Sequence, residues 1–130
     1  MSKAVSVEIS PGELIDKIAI LEIKLERIKD AAKLGNVRTE WETLTAARDG
    51  ALAKSAELDR LTAELKGINI RLWEIEDRIR DCERAKDFGE TFVELARGVY
   101  RNNDRRAHIK RAINALLGSR LIEEKSYAAY

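Results

Sequence analysis

The strongest constraint on this chain is an uninterrupted apolar stripe that starts just after Ser55. Its members recur at strictly alternating steps of three and four residues: Leu58, Leu61, Leu65, Ile68, Leu72, Ile75, Ile79 and Cys82. Steps of this size place side chains on one face of an α-helix, whereas a strand would need steps of two. The stripe therefore predicts one long helix over about residues 56–85, with Ser55 as its N-terminal cap.

A second stripe lies nearer the start of the chain. Ser10-Pro11-Gly12-Glu13 has the composition of a capping box, in which the Ser10 hydroxyl accepts the N–H of Glu13 and the Glu13 side chain reaches back. The stripe that follows consists of Leu14, Ile18, Leu21, Leu25 and Ile28. Gly35 is a natural C-terminal stop. These signals predict a first helix over about residues 11–34.

Two weaker helices complete the prediction. One covers about residues 36–54 and contains Gly50, which costs about 1 kcal/mol relative to alanine in a helix. The other covers about residues 88–117 and starts at a second capping box, Asp87-Phe88-Gly89-Glu90. Because the connections are short, consecutive helices should run antiparallel. The predicted fold is all-α, a single domain over residues 1–130 built as an antiparallel bundle of four helices.

The two ends of the chain carry a different period. Val5, Val7 and Ile9 alternate with polar residues, which is typical of a strand. A bundle of four antiparallel helices brings its first and last residues to the same end, so residues 121–127 are the predicted partner. The sequence thus predicts a short two-stranded ribbon formed by the chain termini. Such a ribbon is marginal alone and would need support from the bundle or from another subunit.

Composition excludes several classes of protein. The 24 Lys and Arg residues nearly balance the 23 Asp and Glu residues, so no global basic field attracts nucleic acid or anionic lipid. Cys82 and His108 are the single residues of their types, which predicts no internal disulfide, no zinc site and no cofactor. The first residues do not match a signal peptide, and no apolar run approaches the ~18 residues of a membrane span. We expect a cytoplasmic protein without membrane insertion.

The apolar pattern breaks in the middle of the fourth predicted helix. Between Val99 and Ile109 no aliphatic side chain is larger than that of Ala107. The break spans nearly three turns, or roughly 14 Å of helix. Buried amides and guanidinium groups are costly unless they have partners. Either this stretch projects past the bundle, or its polar groups meet partners inside it.

Antiparallel geometry places other polar residues opposite this break. The predicted ligand-binding residues are Asn69, Trp73, Tyr100, Asn103, Arg106 and Lys110. Arg106 and Lys110 are one turn apart and could clamp a carboxylate or phosphate, which the two asparagines would orient. The alternative is a structural ion network in which Arg106 pairs with Glu22 or Glu26. The first reading predicts a small anionic ligand as the partner of the bundle.

Enzyme activity is the alternative to a binding protein. Glu74 and Asp77 form an E-x-x-D pair, which resembles the magnesium-binding helices of all-helical nucleotide pyrophosphohydrolases. Ile15-Asp16, followed by Arg27 and Arg38, is similar to the first helix of the helical chorismate mutases, although the downstream positions depart from that pattern. A small all-α enzyme would use Glu76, Asp77 or Tyr100 as acid–base groups on a phosphorylated or carboxylated metabolite.

Two features bear on macromolecular partners. Residues 97–111 carry five arginines and one lysine against Asp104, a local excess of five positive charges. In a chain that is otherwise neutral, this favours a solvated face or an acidic protein partner over nucleic acid. Ile15, Ile20 and Ile23 widen the apolar face of the first helix beyond one stripe. We expect one bundle to leave part of that face uncovered, which favours a homo-oligomer, in the simplest case a dimer.

The whole chain resembles a small family of uncharacterised bacterial and phage proteins of about this length. The motifs that carry the resemblance are Gly12–Lys17 with Ile20–Lys24, Leu72–Asp77, Tyr100–Arg106 and Glu123–Tyr127. The family has no established activity, so the resemblance implies no catalytic residue. Some members are encoded near genes for surface-polysaccharide synthesis, which implies a link to that metabolism. Several signature residues coincide with the site predicted from helix geometry.

Overall fold

The computed structural model describes residues 3–130 and contains four α-helices joined by short connections. Helix α1 covers Pro11–Arg27, α2 covers Ala31–Ala51, α3 covers Ala56–Ala85 and α4 covers Glu90–Leu116. This confirms the all-α class and the number of helices. Among the described residues, no helix combines the length and the apolar character that crossing a membrane requires.

Helices α1, α3 and α4 enclose the apolar core, and α2 packs on the outer side of α1. The buried cluster consists of Ile15, Leu58, Leu61, Leu65, Ile68, Ile109 and Ile113. Ion pairs show the direction of the helices, because Glu13 contacts Lys110 and Asp16, one turn further along α1, contacts Arg106. Helix α4 therefore runs antiparallel to α1, as predicted.

The boundary between α1 and α2 differs from the prediction. Helix α1 ends at Arg27 rather than at about residue 34, and Gly35 lies inside α2. The backbone leaves the helix at Ile28, and the Asp30 side chain accepts the Lys33 N–H at 2.9 Å. An aspartate cap satisfies a backbone donor at the start of a new helix, and here it outweighs the tendency of glycine to end the preceding one.

The two predicted capping boxes have different outcomes. Ser10 Oγ accepts the Glu13 N–H at 3.2 Å, but the Glu13 carboxylate contacts Lys110 instead of reaching back to Ser10. The second box is wrong, because the N-terminal cap of α4 is Gly89, which has no side chain to accept a capping bond. Asp87 Oδ1 instead accepts the N–H of Gly89 at 3.1 Å. In both places the carboxylate binds a different donor from the one predicted: Lys110 for Glu13, and the Gly89 N–H for Asp87.

The predicted terminal ribbon is also wrong, since residues 3–130 contain no strand. Residues 119–130, called the C-terminal segment below, lie along α4 instead of pairing with residues 3–9. Glu123 contacts Lys110, and the Tyr130 hydroxyl donates to Asp104 at 2.8 Å. These side-chain contacts with a rigid helix replace the backbone pairing of an isolated ribbon, which is marginal by itself. An ion pair between Glu8 and Arg120 still joins the two ends.

Helices α1 and α4 approach each other closely at Gly12. Its backbone N–H, one of the unsatisfied donors of a helix N-terminus, donates to Asn114 Oδ1 at 2.7 Å. A Cβ atom at this position would lie less than 3.0 Å from the Lys110 carbonyl oxygen and from Asn114 Oδ1. The absence of a side chain at Gly12 therefore sets the distance between the two helices.

We expect Gly12→Ala to lower the free energy of unfolding by about 2 kcal/mol, because the added methyl group separates α1 from α4. Gly35→Ala is the matched control, since nothing lies within 4 Å of its added Cβ atom. The control should raise stability by about 0.5 kcal/mol through helix propensity. Urea denaturation measures both changes, and equal effects would contradict the close approach.

Candidate functional site

A buried carboxylate stands at the centre of the polar region between α1, α3 and α4. Asp16 is only 1% exposed. Its Oδ1 atom accepts from Asn69 Nδ2 at 2.9 Å and from Arg106 Nε at 2.9 Å, and Arg106 Nη2 donates to Oδ2. Arg106 of α4 thus neutralises the Asp16 carboxylate of α1, and Asn69 of α3 donates a hydrogen bond to it. Such a group is tolerated only because it is paired and hydrogen-bonded.

Lys110 extends this cluster by one turn of α4. The residue is 7% exposed, and its ammonium group lies 2.8 Å from Glu13 Oε2, 3.9 Å from Asp16 Oδ2 and 3.2 Å from Glu123 Oε2. Glu123 belongs to the C-terminal segment. Lys110 therefore joins α1 and α4 to that segment in one ionic cluster.

The pKa values of this cluster follow from its pairing. The hydrogen bond from Lys110 lowers the pKa of Glu13, and burial opposes that change. Burial alone would lower the pKa of Lys110, but the bond to Glu13 and the charge of Asp16 outweigh it and raise the pKa. The hydrogen bonds to Asp16 likewise raise the pKa of Arg106. The two cations and Glu13 are therefore charged at neutral pH.

A groove of about 510 Å³ lies beside the buried cluster and is called the α1–α3–α4 groove below. Its polar and aromatic lining consists of Asn69, Trp73, Glu76, Asp77, Arg80, Asn103 and Arg106. Ile20, Ile23 and Leu72 supply the aliphatic part of the lining. The Arg106 side chain is 28% exposed and joins the groove to the buried carboxylate.

The structure brings four of the six predicted ligand-binding residues to this groove, namely Asn69, Trp73, Asn103 and Arg106. Lys110 lies outside the groove, next to Asp16. Tyr100 lies apart from both, on the side of α4 that carries the C-terminal segment. Its ring contacts that of Tyr130, with the centroids 5.1 Å apart, and both line a second cavity of about 650 Å³, which shares Asn103 with the groove.

The polar break in α4 is divided between the interior and the solvent. Asn102, Asn103 and Arg106 are half-buried, whereas Arg101 and Arg105 are exposed. Asn102 Nδ2 donates to the Gly98 carbonyl oxygen at 2.8 Å, while its Oδ1 atom is buried without a hydrogen-bond partner in residues 3–130. Side chains at helical spacing alternate between the two environments, so neither complete projection nor complete burial describes the stretch.

The predicted partners of Arg106 are wrong. Glu22 accepts from Trp41 Nε1 at 3.3 Å, and Glu26 binds Lys66 at 2.8 Å. Arg106 pairs with Asp16 instead, because it meets α1 closer to the N-terminus of α1 than the prediction assumed. An ion network is present, as in the structural alternative, but it has a different acidic centre.

Sequence reasoning did not include Asp16, Asn114 or Glu123 in the site. A signal for Asp16 was available, because Gly12, Asp16, Ala19 and Ile23 share one helical face and the other three are small or apolar. An aspartate inside such a line predicts a buried charge. Asn114 and Glu123 carry no comparable local signal, since their roles depend on which backbone or side chain lies opposite.

The structure also locates the acidic pair of α3 and the basic stretch of α4. Glu74 of the E-x-x-D pair contacts Arg27 at 3.3 Å, while Asp77 lines the groove. No three His, Cys, Asp or Glu side chains of residues 3–130 form a group that could hold a metal ion. Within the basic stretch of residues 97–111, Arg97 contacts Glu94 at 2.5 Å.

The fold and the site define an all-α protein of four helices with a buried ionic cluster and an adjoining groove. Residues 5–130 match the model of a family of unknown function (DUF6165), and the chain belongs to that family. The match confirms the resemblance to an uncharacterised family. Comparison with curated proteins and with solved structures found no match in either set.

We expect Asp16→Asn to lower the free energy of unfolding by about 3 kcal/mol, because it leaves Arg106 without its buried counter-charge. Glu74→Gln is the control, since it removes a largely exposed ion pair with Arg27 and should change stability by less than about 0.5 kcal/mol. Urea denaturation compares the two. If Asp16→Asn were as mild as the control, the buried cluster would not hold the helices together.

Proposed function

We propose that this protein binds a small molecule in the α1–α3–α4 groove and receives an anionic group of that molecule at Arg106 and Asn103. The observation that supports this most is how Arg106 is held. Asp16 binds its Nε and Nη2 atoms, while Nη1 lies 3.5 Å from Asn103 Oδ1 beside the groove. A guanidinium group fixed in this way loses little conformational entropy when its remaining N–H groups bind a carboxylate or phosphate.

Trp73 supports a ligand with an apolar or planar part. Its ring lines the groove together with Ile20, Ile23 and Leu72. Its indole Nε1 makes no hydrogen bond within residues 3–130, so this donor is available to a ligand. A groove of about 510 Å³ lies within the usual range for small-molecule sites. The proposed link to surface polysaccharides makes nucleotide sugars the first compounds to test.

A small all-α enzyme is the second candidate, because Glu76 and Asp77 line the same groove as Arg106. Carboxylates near a fixed cation can move protons on a bound metabolite. An enzyme should convert the bound compound, and Glu76→Gln or Asp77→Asn should abolish turnover while the compound still binds. A binding protein should return the compound unchanged.

An acidic protein partner is the third candidate. Arg101 and Arg105 are exposed on α4, and neither side chain forms an ion pair within the described part of the chain. Binding to such a partner would weaken steeply with salt and with Arg101→Ala. The same substitution should leave binding in the groove unchanged, because Arg101 does not line it.

We further propose a cytoplasmic homo-oligomer. Phe88, which lies just before α4, and Val93, near the start of that helix, are each 50% exposed. Apolar side chains of this size favour contact with a second copy. Light scattering should give a mass above the 14.7 kDa of one chain, and Phe88→Ser should reduce it. A wild-type mass of one chain would contradict the oligomer.

We expect a thermal-shift screen of anionic metabolites, including nucleotide sugars, to find a compound that stabilises the protein. A ligand at 100 times its Kd adds about 2.7 kcal/mol to the folded state. Asn103→Ala and Trp73→Leu should reduce this shift, and Arg101→Ala should not. Arg106→Ala is a poor test by itself, because it also leaves Asp16 buried without a partner. Equal shifts in all variants would place the ligand elsewhere.

A further inference from the structure

The α1–α3–α4 groove is lined by two carboxylates and two cations, and one of the carboxylates has no partner within residues 3–130. Arg106 is neutralised by the buried Asp16, and Glu76 is paired with Arg80 at 2.5 Å. The side chain of Asp77 also lines the groove, but it forms no hydrogen bond and no ion pair within residues 3–130. Once the pairs are counted, the uncompensated charge of the lining is the negative charge of Asp77.

This charge has a defined position relative to Arg106. Asn69 and Arg106 bind the same carboxylate oxygen, so they lie at the same level of the bundle. Asp77 is eight residues further along α3, which corresponds to about 12 Å of helix. Trp73 lies halfway between Asn69 and Asp77. The groove therefore has a fixed cation at one end, an indole ring in the middle and an unpaired carboxylate towards the other end.

A ligand that carries only negative charge leaves Asp77 without a partner. Its anionic group would bind Arg106 and Asn103, while the rest of the molecule would extend past Trp73 towards Asp77. Like charges repel, although solvent weakens this repulsion because Asp77 is exposed. A ligand with a cationic group at the far end would instead satisfy Asp77.

We propose that the groove takes a zwitterion whose anionic and cationic groups lie on the order of 10 Å apart, somewhat less than the helix rise between Asn69 and Asp77. The anionic group binds Arg106 and Asn103, the cationic group binds Asp77, and the intervening part contacts Trp73. This inference rests on the proposed function, since it assumes the same groove and the same anion contact. A free amino acid is too short for it, whereas an extended tripeptide spans about 10 Å between its charged ends.

The test uses the full chain and three probes of one skeleton, titrated by calorimetry. They are the tripeptide alanyl-leucyl-alanine, its N-acetyl derivative, which is only anionic, and its C-terminal amide, which is only cationic. We expect the zwitterion to bind about fivefold more tightly than either derivative, because each lacks one charge-assisted contact. Asp77→Asn should remove this advantage over the N-acetyl derivative. Its matched control is Asp81→Asn, one turn further along α3, where the side chain pairs with Arg84 and does not line the groove.

The outcomes separate the two proposals. If the N-acetyl derivative binds as tightly as the zwitterion and Asp77→Asn changes neither, the zwitterion inference is overturned while the anion site stands. If the amide binds as tightly as the zwitterion and Asn103→Ala has no effect, the anion site itself is wrong. If none of the probes binds, the inference is overturned, and the screen of anionic metabolites decides the proposed function by itself.

Discussion

The structure depends on how the charge of Asp16 is neutralised. A carboxylate that is 1% exposed needs partners, and they come from α3 through Asn69 and from α4 through Arg106. Each partner is useful only when its helix lies at the right height and rotation. The ionic contacts therefore select one register among the helix packings that apolar side chains alone would accept. Gly12 and Asn114 reinforce the same register one turn away.

The same cluster has consequences at the surface of the bundle. Because Asp16 holds Arg106 through two of its nitrogen atoms, the guanidinium is rigid where it reaches the groove. Lys110 carries the cluster to the other side of α4, where Glu123 fixes the C-terminal segment. That segment thus lies along a helix instead of forming a strand. One buried charge links the core, the candidate site and the course of the last residues.

Local signals predicted some elements well and misled elsewhere. The regular stripe from Leu58 to Cys82 predicted the bounds of α3, because a long run of 3–4 spacing leaves no other structure that buries those side chains. Gly35 and the sequence after Asp87 misled, because several caps compete within a few residues and their energies differ by only about 1 kcal/mol. The alternation of apolar and polar residues over residues 5–9 misled too, because a strand also needs a hydrogen-bonding partner, and residues 3–130 provide none.

The sequence by itself determined the four helices, the family to which the chain belongs and the polar interruption of α4. It also determined four residues of the groove lining, because helical spacing and antiparallel geometry suffice to place side chains at similar heights. Only the tertiary structure decided that Asp16 is the partner of Arg106 and that Lys110 and Tyr100 lie outside the groove. It also decided that Asp77 has no partner within residues 3–130. Spacing fixes the face of a helix on which a residue lies. Partners also depend on the rotation and height of neighbouring helices, which the packing of the whole core sets.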